Sequence, residues 1–567
     1  MIVRAKGKKG NIKMPSSSAT PLMDNVRYGG NAVDHADTVD YGTSSPSSSK
    51  NLLGGIEDDD GSSSGDEHAK KWWARGFCPR PRLLRTVDVQ DTDYEKERDI
   101  TWSELFFDLI FVVAIARLGE NLREKVNESL TTTWYSGLGD YSVYFVTLIH
   151  IWWNLAQYCT RYGTDDMYHK LFIPTLMMGV VFQCALSGGG PSDANNSSGF
   201  AYATAFTYVM QSFLWWRIVY HLKSPMRMHA LIFGVVPDTL SCLAFVFIGY
   251  SVPFSSRMTA IAVAFVCRML HVWLYVSFVP CLYPQTAQAY PAPCHKRFFC
   301  MKAKPKFTGC LPSVFVPLHL EHFTERVGCL AIIVLGEMID DITEATEQKH
   351  TTSYFYACAL CFAIIVMFKL IIFDTDEGDI ERHALRRDRL AGICWGMLNF
   401  PKMMAIAIMG SAMSMFCASF KSDLLSSENV GAARTLLCGS AAIILAITSI
   451  DTFLHEQHWN NVEQKNNGMS SYLLQKLHRV YFVQMSASFV AVASLFYLAR
   501  TDAAIISDVK LLAAIFIILA FIVALGFLDE YVEVTHTGCS RSELLRRQKR
   551  RRSSVASGMY MPAAPLS

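Results

Sequence analysis

Long apolar runs recur through most of the chain and constrain its fold more than any other feature of the sequence. Each run holds about 20 residues, the length that an α-helix needs to cross the hydrocarbon core of a bilayer. Charged residues make up only 18% of the chain, against about 25% in soluble proteins. We therefore predict an all-α integral membrane protein, which excludes a soluble enzyme and a secreted disulfide scaffold. The sequence predicts about 12 transmembrane helices, at 102–120, 141–160, 171–188, 200–221, 229–249, 258–280, 324–342, 354–374, 390–414, 433–453, 472–499 and 509–528.

The polar segments divide the chain into five parts. The first part begins with a stretch rich in Ser, Gly and Asp, which cannot bury enough apolar surface to offset the entropy lost on ordering. We expect a disordered cytosolic tail that ends in a basic juxtamembrane segment starting at Lys70, with a solvated linker as the alternative for that segment. The parts are this tail, six helices, a basic cytosolic loop, six further helices and a basic cytosolic tail: 1–99, 100–281, 282–316, 317–530 and 531–567.

The distribution of Lys and Arg predicts the orientation in the membrane, because cytosolic loops carry an excess of these residues. The loops that face the cytosol when the N-terminus is inside hold more Lys and Arg than the opposite loops, and both tails add more. The sequons at Asn127, Asn195 and Asn196 fall in loops predicted outside, and Asn127 and Asn196 are our candidates for glycosylation. We expect both termini in the cytosol and the protein in the plasma membrane or an endomembrane.

The C-terminal tail carries two candidate phosphorylation sites. Ser553 and Ser554 directly follow a run of three arginines. A phosphate there would reduce the positive charge that faces an anionic leaflet. The alternative is that the arginines serve only as a topology signal.

The first and seventh apolar runs carry acids at matching positions. Each run also ends in Leu-Gly-Glu. This pattern predicts a duplicated unit, and because each unit has six helices, the two units are expected to be parallel repeats. At an offset of 217 residues, the three acids of the first run align with the three of the seventh, namely Glu104, Asp108 and Glu120 with Glu321, Glu325 and Glu337.

These acids are candidates for a transport path. A carboxylate inside a span costs about 2.5–3.5 kcal/mol on insertion scales and usually faces a cavity or a partner. Asp108 and Glu325 are the central candidates. Glu104 and Glu321 lie four residues before them on the same helix face and nearer the cytosol. The outermost pair lies about 18 Å from the first along each helix, and it consists of Glu120 and Glu337.

Ion pairing between helices is the structural alternative for the same residues. Arg326, itself a candidate for the path, adjoins Glu325, and Arg117 precedes Glu120 by three residues. Such pairs would lock helices together without moving an ion. The tryptophans in the spans, such as Trp152, are interpreted as interface anchors or packing residues.

Other ionisable residues inside the runs also suggest neutralising pairs. Asp238 can neutralise either Arg217 or Arg268, and Asp451 can neutralise Lys402. We expect a structural role for most of them, and a relay of acids and histidines is the alternative.

No motif in the sequence predicts a cofactor or a metal site. There is no GxxxxGK[ST] loop for nucleotide phosphates. Cys358 and Cys361 form a CxxC pair, but they lie inside an apolar run, where a cysteine behaves as a small hydrophobe. We therefore interpret this pair as part of the core.

Two motifs carry a resemblance to a known family. They read Trp102-x-Glu104-Leu-Phe-Phe-Asp108 and His322-x-x-Glu325-Arg326-x-Gly328. At these motifs, and over about 100–530, the chain resembles the low-temperature-requirement A family of bacterial membrane proteins. The resemblance implies a multi-pass membrane protein, linked by name to growth at low temperature, and it implies no substrate. The long tails and the basic loop depart from the family and suggest a eukaryotic-type member.

The matched acids favour a transporter or channel for a small cation or protons, without enzymatic activity. The first alternative is a non-transporting sensor or scaffold for cold-stress signalling through the tails. The second is a Mg²⁺-dependent membrane lipid enzyme, whose metal would bind acidic helix ends such as Asp165-Asp166 and Asp374–Asp379.

The expected partners follow from the same reasoning. They are the lipid bilayer and a small cation or proton. Whether the protein forms a homodimer is left open by the sequence. The net charge of +2 gives no support to a nucleic-acid partner.

Overall fold

The computed structural model describes most of the region in which helices are predicted. The predicted N-terminal tail, the 283–316 part of the basic loop and the 538–567 part of the C-terminal tail, with Ser553 and Ser554, lie outside the described residues. The described residues are 100–128, 134–163, 166–187, 194–222, 224–282, 319–344, 352–374, 383–387, 389–419, 427–456, 471–501 and 507–537.

Long helices account for nearly all of the described residues, as expected where no water is present to satisfy backbone groups. Helices α5 and α8 each include a π-helical turn, and a short helical turn, Ala384–Arg387, precedes α9. The long helices of the described part are α1 (Trp102–Glu128), α2 (Trp134–Cys159), α3 (Met167–Ser187), α4 (Ala194–His221), α5 (Ser224–Ala230, Leu231–Val235 and Val236–Ser251), α6 (Phe254–Leu282), α7 (Leu320–Glu344), α8 (Thr352–Lys369 and Leu370–Asp374), α9 (Arg389–Ser419), α10 (Ser427–Glu456), α11 (Ser471–Arg500) and α12 (Asp508–Thr537).

Seven of the described helices are long and apolar enough to cross a membrane: α3, α5, α8, α9, α10, α11 and α12. This confirms an all-α, multi-pass membrane protein. Helices α1 and α7 do not meet the same criterion, because each carries more than two charged residues in every stretch of spanning length. These charges include the acids that suggested a transport path. The total of about 12 spans stays a prediction.

The core is built around α9. In its apolar stretch 89% of the residues are buried, against 22% in that of α11. Helix α9 packs on α1, α2, α7 and α10. Helix α2 is also largely enclosed, with Phe145, Leu148 and Ile151 fully buried. The two helices therefore form the inside of the bundle, and α11 lies at its edge.

Corresponding helices of the two groups of six have corresponding neighbours. In the first group, α1 packs on α2 and α3, α4 packs on α3 and α5, and α6 packs on α5 and α2. In the second group, α7 packs on α8 and α9, α10 packs on α9 and α11, and α12 packs on α11 and α8.

Gly234 generates a test of the packing in the π-helical turn of α5. A Cβ at this position would overlap the Trp215 ring, and Trp215 is buried. We expect Gly234→Ala to lower the free energy of unfolding by about 1–3 kcal/mol, as overpacked cores do. Thermal unfolding in detergent micelles measures the change. Gly431→Ala is the control, since a Cβ there meets nothing within 4 Å. Equal loss of stability in both variants would contradict the close approach of Gly234 to the Trp215 ring.

Candidate functional site

The start of α1 is set by a capping box that turns Glu104 inward. The Thr101 backbone N–H donates to Glu104 Oε2 over 2.9 Å, and the Glu104 backbone N–H donates to Thr101 Oγ1 over 3.3 Å. Such reciprocal bonds satisfy two of the amide groups that a helix leaves open at its N-terminus. Glu104 is thereby held buried in the first turn of α1.

The start of α7 is anchored beside it by two histidines. The backbone N–H of His319 donates to the carbonyl of Thr160, just beyond α2, over 3.2 Å. His319 Nδ1 in turn accepts the backbone N–H of His322 over 3.3 Å. Both histidines are buried. The first turn of α7 is therefore fixed against the end of α2.

Two acids of α1 face two basic side chains of α7. His322 Nε2 lies 3.2 Å from Glu104 Oε1, and one turn further on Arg326 Nη2 donates to Asp108 Oδ1 over 2.5 Å. Arg326 Nη1 also lies 3.8 Å from Glu104 Oε1. Asp108 and Arg326 are fully buried. We call these four side chains, together with Trp152, the ion-pair cluster.

Helix α2 closes the cluster through Trp152. Its indole Nε1–H donates to Asp108 Oδ1 over 2.6 Å. Its ring lies 5.6 Å from the Arg326 guanidinium carbon, a cation–π distance. Trp152 is therefore a polar partner of the ion pair, which the interpretation as an interface anchor or packing residue did not anticipate.

Several polar atoms of the cluster keep open hydrogen-bonding capacity. Among the described residues, no hydrogen-bond partner is found for Asp108 Oδ2, His322 Nδ1, or the Nε and Nη1 atoms of Arg326. A buried polar group left in this state costs about 1–3 kcal/mol. Both Asp108 contacts fall on Oδ1. The second oxygen of the carboxylate therefore has unused acceptor capacity among the described residues.

The structure places Glu325 differently from Asp108, with which it was aligned. Glu325 is exposed, and the residue of α7 that meets Asp108 is Arg326. The reason is the register. Contacts between α1 and α7 join residues 218 apart, whereas the repeated acids are 217 apart. One residue is about 100° of rotation around a helix. The backbone of Glu321 lies in the first turn of α7, and its side chain is outside the described set.

The acids nearer the other end of these helices are only partly buried. Glu120 pairs with Arg117, but both residues belong to α1, so this partly exposed pair does not join two helices as the structural alternative expected. Glu337 is also partly buried. Sequence reasoning missed the ion pair that joins α1 to α7 at this end, which is partly buried: Arg123 donates to Asp341 Oδ1 over 2.6 Å and to Ser414 Oγ of α9 over 2.9 Å. Its separation is again 218 residues, so α1 and α7 run in the same direction.

Three further acids pair as neutralising residues. Asp238 accepts from Arg268 and Asp451 accepts from Lys402, each over 2.7 Å, which confirms two of the predicted pairs. Of the two alternatives given for Asp238, Arg268 is thus the partner and Arg217 is not. Arg217 donates to Asp166 instead, over 2.7 Å, because α4 brings it to the start of α3.

The Asp166 carboxylate is held ionised by its surroundings. Burial raises its pKa, but hydrogen bonds from His169 and the charges of His169 and Arg217 lower the pKa to about 2. Asp166 was one of the acids suggested to hold Mg²⁺. Its oxygens are occupied by these two side chains, and in the described part of the chain no group of three or more ligand residues could hold a metal.

A comparison with protein-family models identifies the family to which this chain belongs. A model described as "Bacterial low temperature requirement A protein (LtrA)" matches residues 99–525. The chain belongs to the LtrA family. A search of curated proteins returned no match. The LtrA match begins just before α1 and ends within α12, so it covers the ion-pair cluster and both groups of six helices.

The modification sites suggested for this LtrA-family protein lie at helix ends or outside the described residues. Asn127 is in the last turn of α1 and Asn196 in the first turn of α4. Their glycosylation stays a prediction.

The buried ion pair of Asp108 and Arg326 predicts a large loss of stability when one of the two residues is replaced. We expect Arg326→Met to lower the free energy of unfolding by about 3–5 kcal/mol, because Asp108 is left as an uncompensated buried charge. Thermal unfolding in detergent micelles measures this. Arg117→Met is the control, since its partly exposed pair with Glu120 should change stability by at most about 1 kcal/mol. Similar losses of stability in the two variants would contradict the assignment of Asp108 and Arg326 as a buried ion pair.

Proposed function

We propose that this protein is a transporter or channel that moves protons or another small cation along the interface of α1, α2 and α7. The observation that carries the proposal is the Asp108 carboxylate. It is fully buried, its Oδ1 holds Arg326 and Trp152, and its Oδ2 has no hydrogen-bond partner among the described residues. Intramembrane carboxylates in such surroundings are typical of ion and proton paths.

Glu104 lies one helical turn before Asp108 on α1 and is the second acid of the proposed path. Glu104 contacts His322, whose Nδ1 has no hydrogen-bond partner in the described part of the chain. An imidazole ring can accept a proton at one nitrogen and donate one from the other. Protons would reach Asp108 by way of Glu104 and His322, which lie at the ends of α1 and α7 that we expect to face the cytosol.

Binding of a proton or cation at Asp108 would change the contact between α1 and α7. A protonated or cation-bound carboxylate attracts the Arg326 guanidinium less strongly. The two helices would then be freer to move against each other, while Arg123 and Asp341 hold their far ends. The far pair lies 15 residues beyond Asp108, about 22 Å along α1 at 1.5 Å per residue.

The proposed architecture is twelve spans in two parallel six-helix repeats, with both termini in the cytosol. The corresponding neighbours in the two groups of six support it. The common direction of α1 and α7, the first helices of the two repeats, also supports it. Repeats of this kind place ion sites near their interface, where the ion-pair cluster lies.

The test is flux through the purified full-length protein in liposomes. We expect a pH-sensitive dye inside the vesicles to report proton flux, or a K⁺ gradient to report cation flux. Asp108→Asn should lower the rate at least tenfold because the neutral amide takes up no proton near neutral pH and attracts a cation far less strongly than a carboxylate does. Glu325→Gln is the matched control, an acid of α7 whose side chain is exposed, and it should keep the rate of the unsubstituted protein.

A neutral double variant separates flux from folding. Asp108→Asn with Arg326→Gln removes both charges, so no buried charge is left unpaired. We expect this variant to be folded, as judged by its elution volume and thermal unfolding, and still without flux. Flux at the original rate in the folded double variant would contradict the role of Asp108.

A non-transporting sensor or scaffold is the second candidate. It is favoured by two buried ion pairs that join helices, Asp238 with Arg268 and Asp451 with Lys402. If the folded, unsubstituted protein shows neither proton nor K⁺ flux under any gradient, this candidate replaces the first.

A further inference from the structure

Three cysteine side chains meet where α8 packs on α9. Cys417 Sγ of α9 lies 4.0 Å from Cys358 Sγ and 3.9 Å from Cys361 Sγ, both of α8. Residues three apart on a helix lie on one face, which explains how one sulfur of α9 can contact both members of the pair. The sequence pattern alone had indicated only core packing for the CxxC pair.

The three thiols differ in their access to the surroundings. Cys361 and Cys417 are fully buried, whereas Cys358 is partly exposed. Susceptibility of a cysteine to oxidation rises with exposure, and the product is a disulfide when a second thiol is close by. Cys358 is therefore the thiol that an oxidant reaches, and Cys417 is the thiol placed to react with the product.

The position of the thiols along the helices puts them near one end of the bundle. Cys358 lies in the second turn of α8, and Cys417 lies two residues before the end of α9. Ser414, one turn earlier in α9, is bonded to Arg123 near the end of α1. The thiols therefore lie at the end opposite to the start of α1. With the predicted orientation this end faces away from the cytosol, on the side where disulfides persist.

We propose that these thiols form an oxidative modification site, at which a hydroperoxide converts Cys358 and Cys417 into a disulfide that joins α8 to α9. The sulfur atoms are in van der Waals contact, and a disulfide needs a separation of about 2.05 Å. Side-chain rotation and a small approach of the two helices would close the gap.

The chemistry proceeds in two balanced steps. The Cys358 sulfur attacks the hydroperoxide, the O–O bond breaks, and a sulfenic acid and an alcohol are formed, or water if the oxidant is hydrogen peroxide. The Cys417 sulfur then attacks the sulfenic sulfur, the S–O bond breaks, and water leaves. Overall, two thiols and one hydroperoxide give one disulfide, one alcohol or water, and one water.

Cys361 can then take over the bond by thiol–disulfide exchange. The Cys361 sulfur loses its proton and attacks Cys417 Sγ, the bond between Cys358 and Cys417 breaks, and the released Cys358 sulfur takes up a proton to become a thiol. The disulfide would then join the two buried cysteines and leave Cys358 available again. Two linkages are therefore products of the same site.

The experiment treats the full-length protein in liposomes with hydrogen peroxide in the water, or with a fatty-acid hydroperoxide in the bilayer. Digestion without reductant and mass spectrometry should find peptides of α8 and α9 joined by a disulfide, with loss of two titratable thiols per chain. Faster formation with one reagent identifies an aqueous or a bilayer source of the oxidant. No joined peptides with either reagent would overturn the proposal.

Cysteine variants assign the roles. Cys417→Ser should abolish the α8–α9 linkage, Cys358→Ser should slow its formation at least tenfold, and Cys361→Ser should leave the rate of formation unchanged. Cys438→Ser is the matched control, a buried cysteine of α10 outside the cluster, and it should behave like the unsubstituted protein. Formation at an unchanged rate in Cys358→Ser, or a trapped sulfenic acid with no disulfide, would also overturn the proposal.

Discussion

The buried pair of Asp108 and Arg326 is the interaction on which the arrangement of the first and seventh helices depends. Two full charges lie inside the bundle, and taking them out of water is costly unless each has a close partner. The pair therefore determines which faces of α1 and α7 meet, and the Trp152 indole determines where α2 lies against them. The same separation of 218 residues recurs at Arg123 and Asp341, near the other ends of the two helices.

The surface of α1 shows how a charged helix fits into a membrane protein. Asp108 and Phe111 are buried against the bundle, whereas Leu109 and Val113 are exposed. The apolar side chains on the outer face of α1 can contact lipid, whereas the ionised groups lie on its inner face, where they have polar partners. This distribution explains why α1 carries too many charged residues to meet the criterion for a spanning helix and is still compatible with a position in the bilayer.

Sequence reasoning reached the all-α membrane architecture and part of the site. Long apolar runs are sufficient to identify helices, and pairs such as Asp451 with Lys402 follow because buried charges need partners. The partner of Asp108 could not be obtained in this way. The repeated acids of α1 and α7 are 217 residues apart, whereas the residues that contact each other across the two helices are 218 apart. This difference of one residue decides that Arg326, and not Glu325, faces Asp108. The contact register depends on packing, which a single sequence does not contain.

The central claim is that Asp108 exchanges a proton and so loosens its contact with Arg326, while Arg123 and Asp341 hold the far ends of α1 and α7 together. Infrared difference spectra of the reconstituted protein, recorded between two pH values that bracket the onset of proton flux, test it most directly. We predict a protonated-carboxyl band that changes over the same pH range as the flux and is absent from Asp108→Asn. A spectrum in which Asp108→Asn retains every carboxyl band of the unsubstituted protein, while flux changes with pH, would contradict the account.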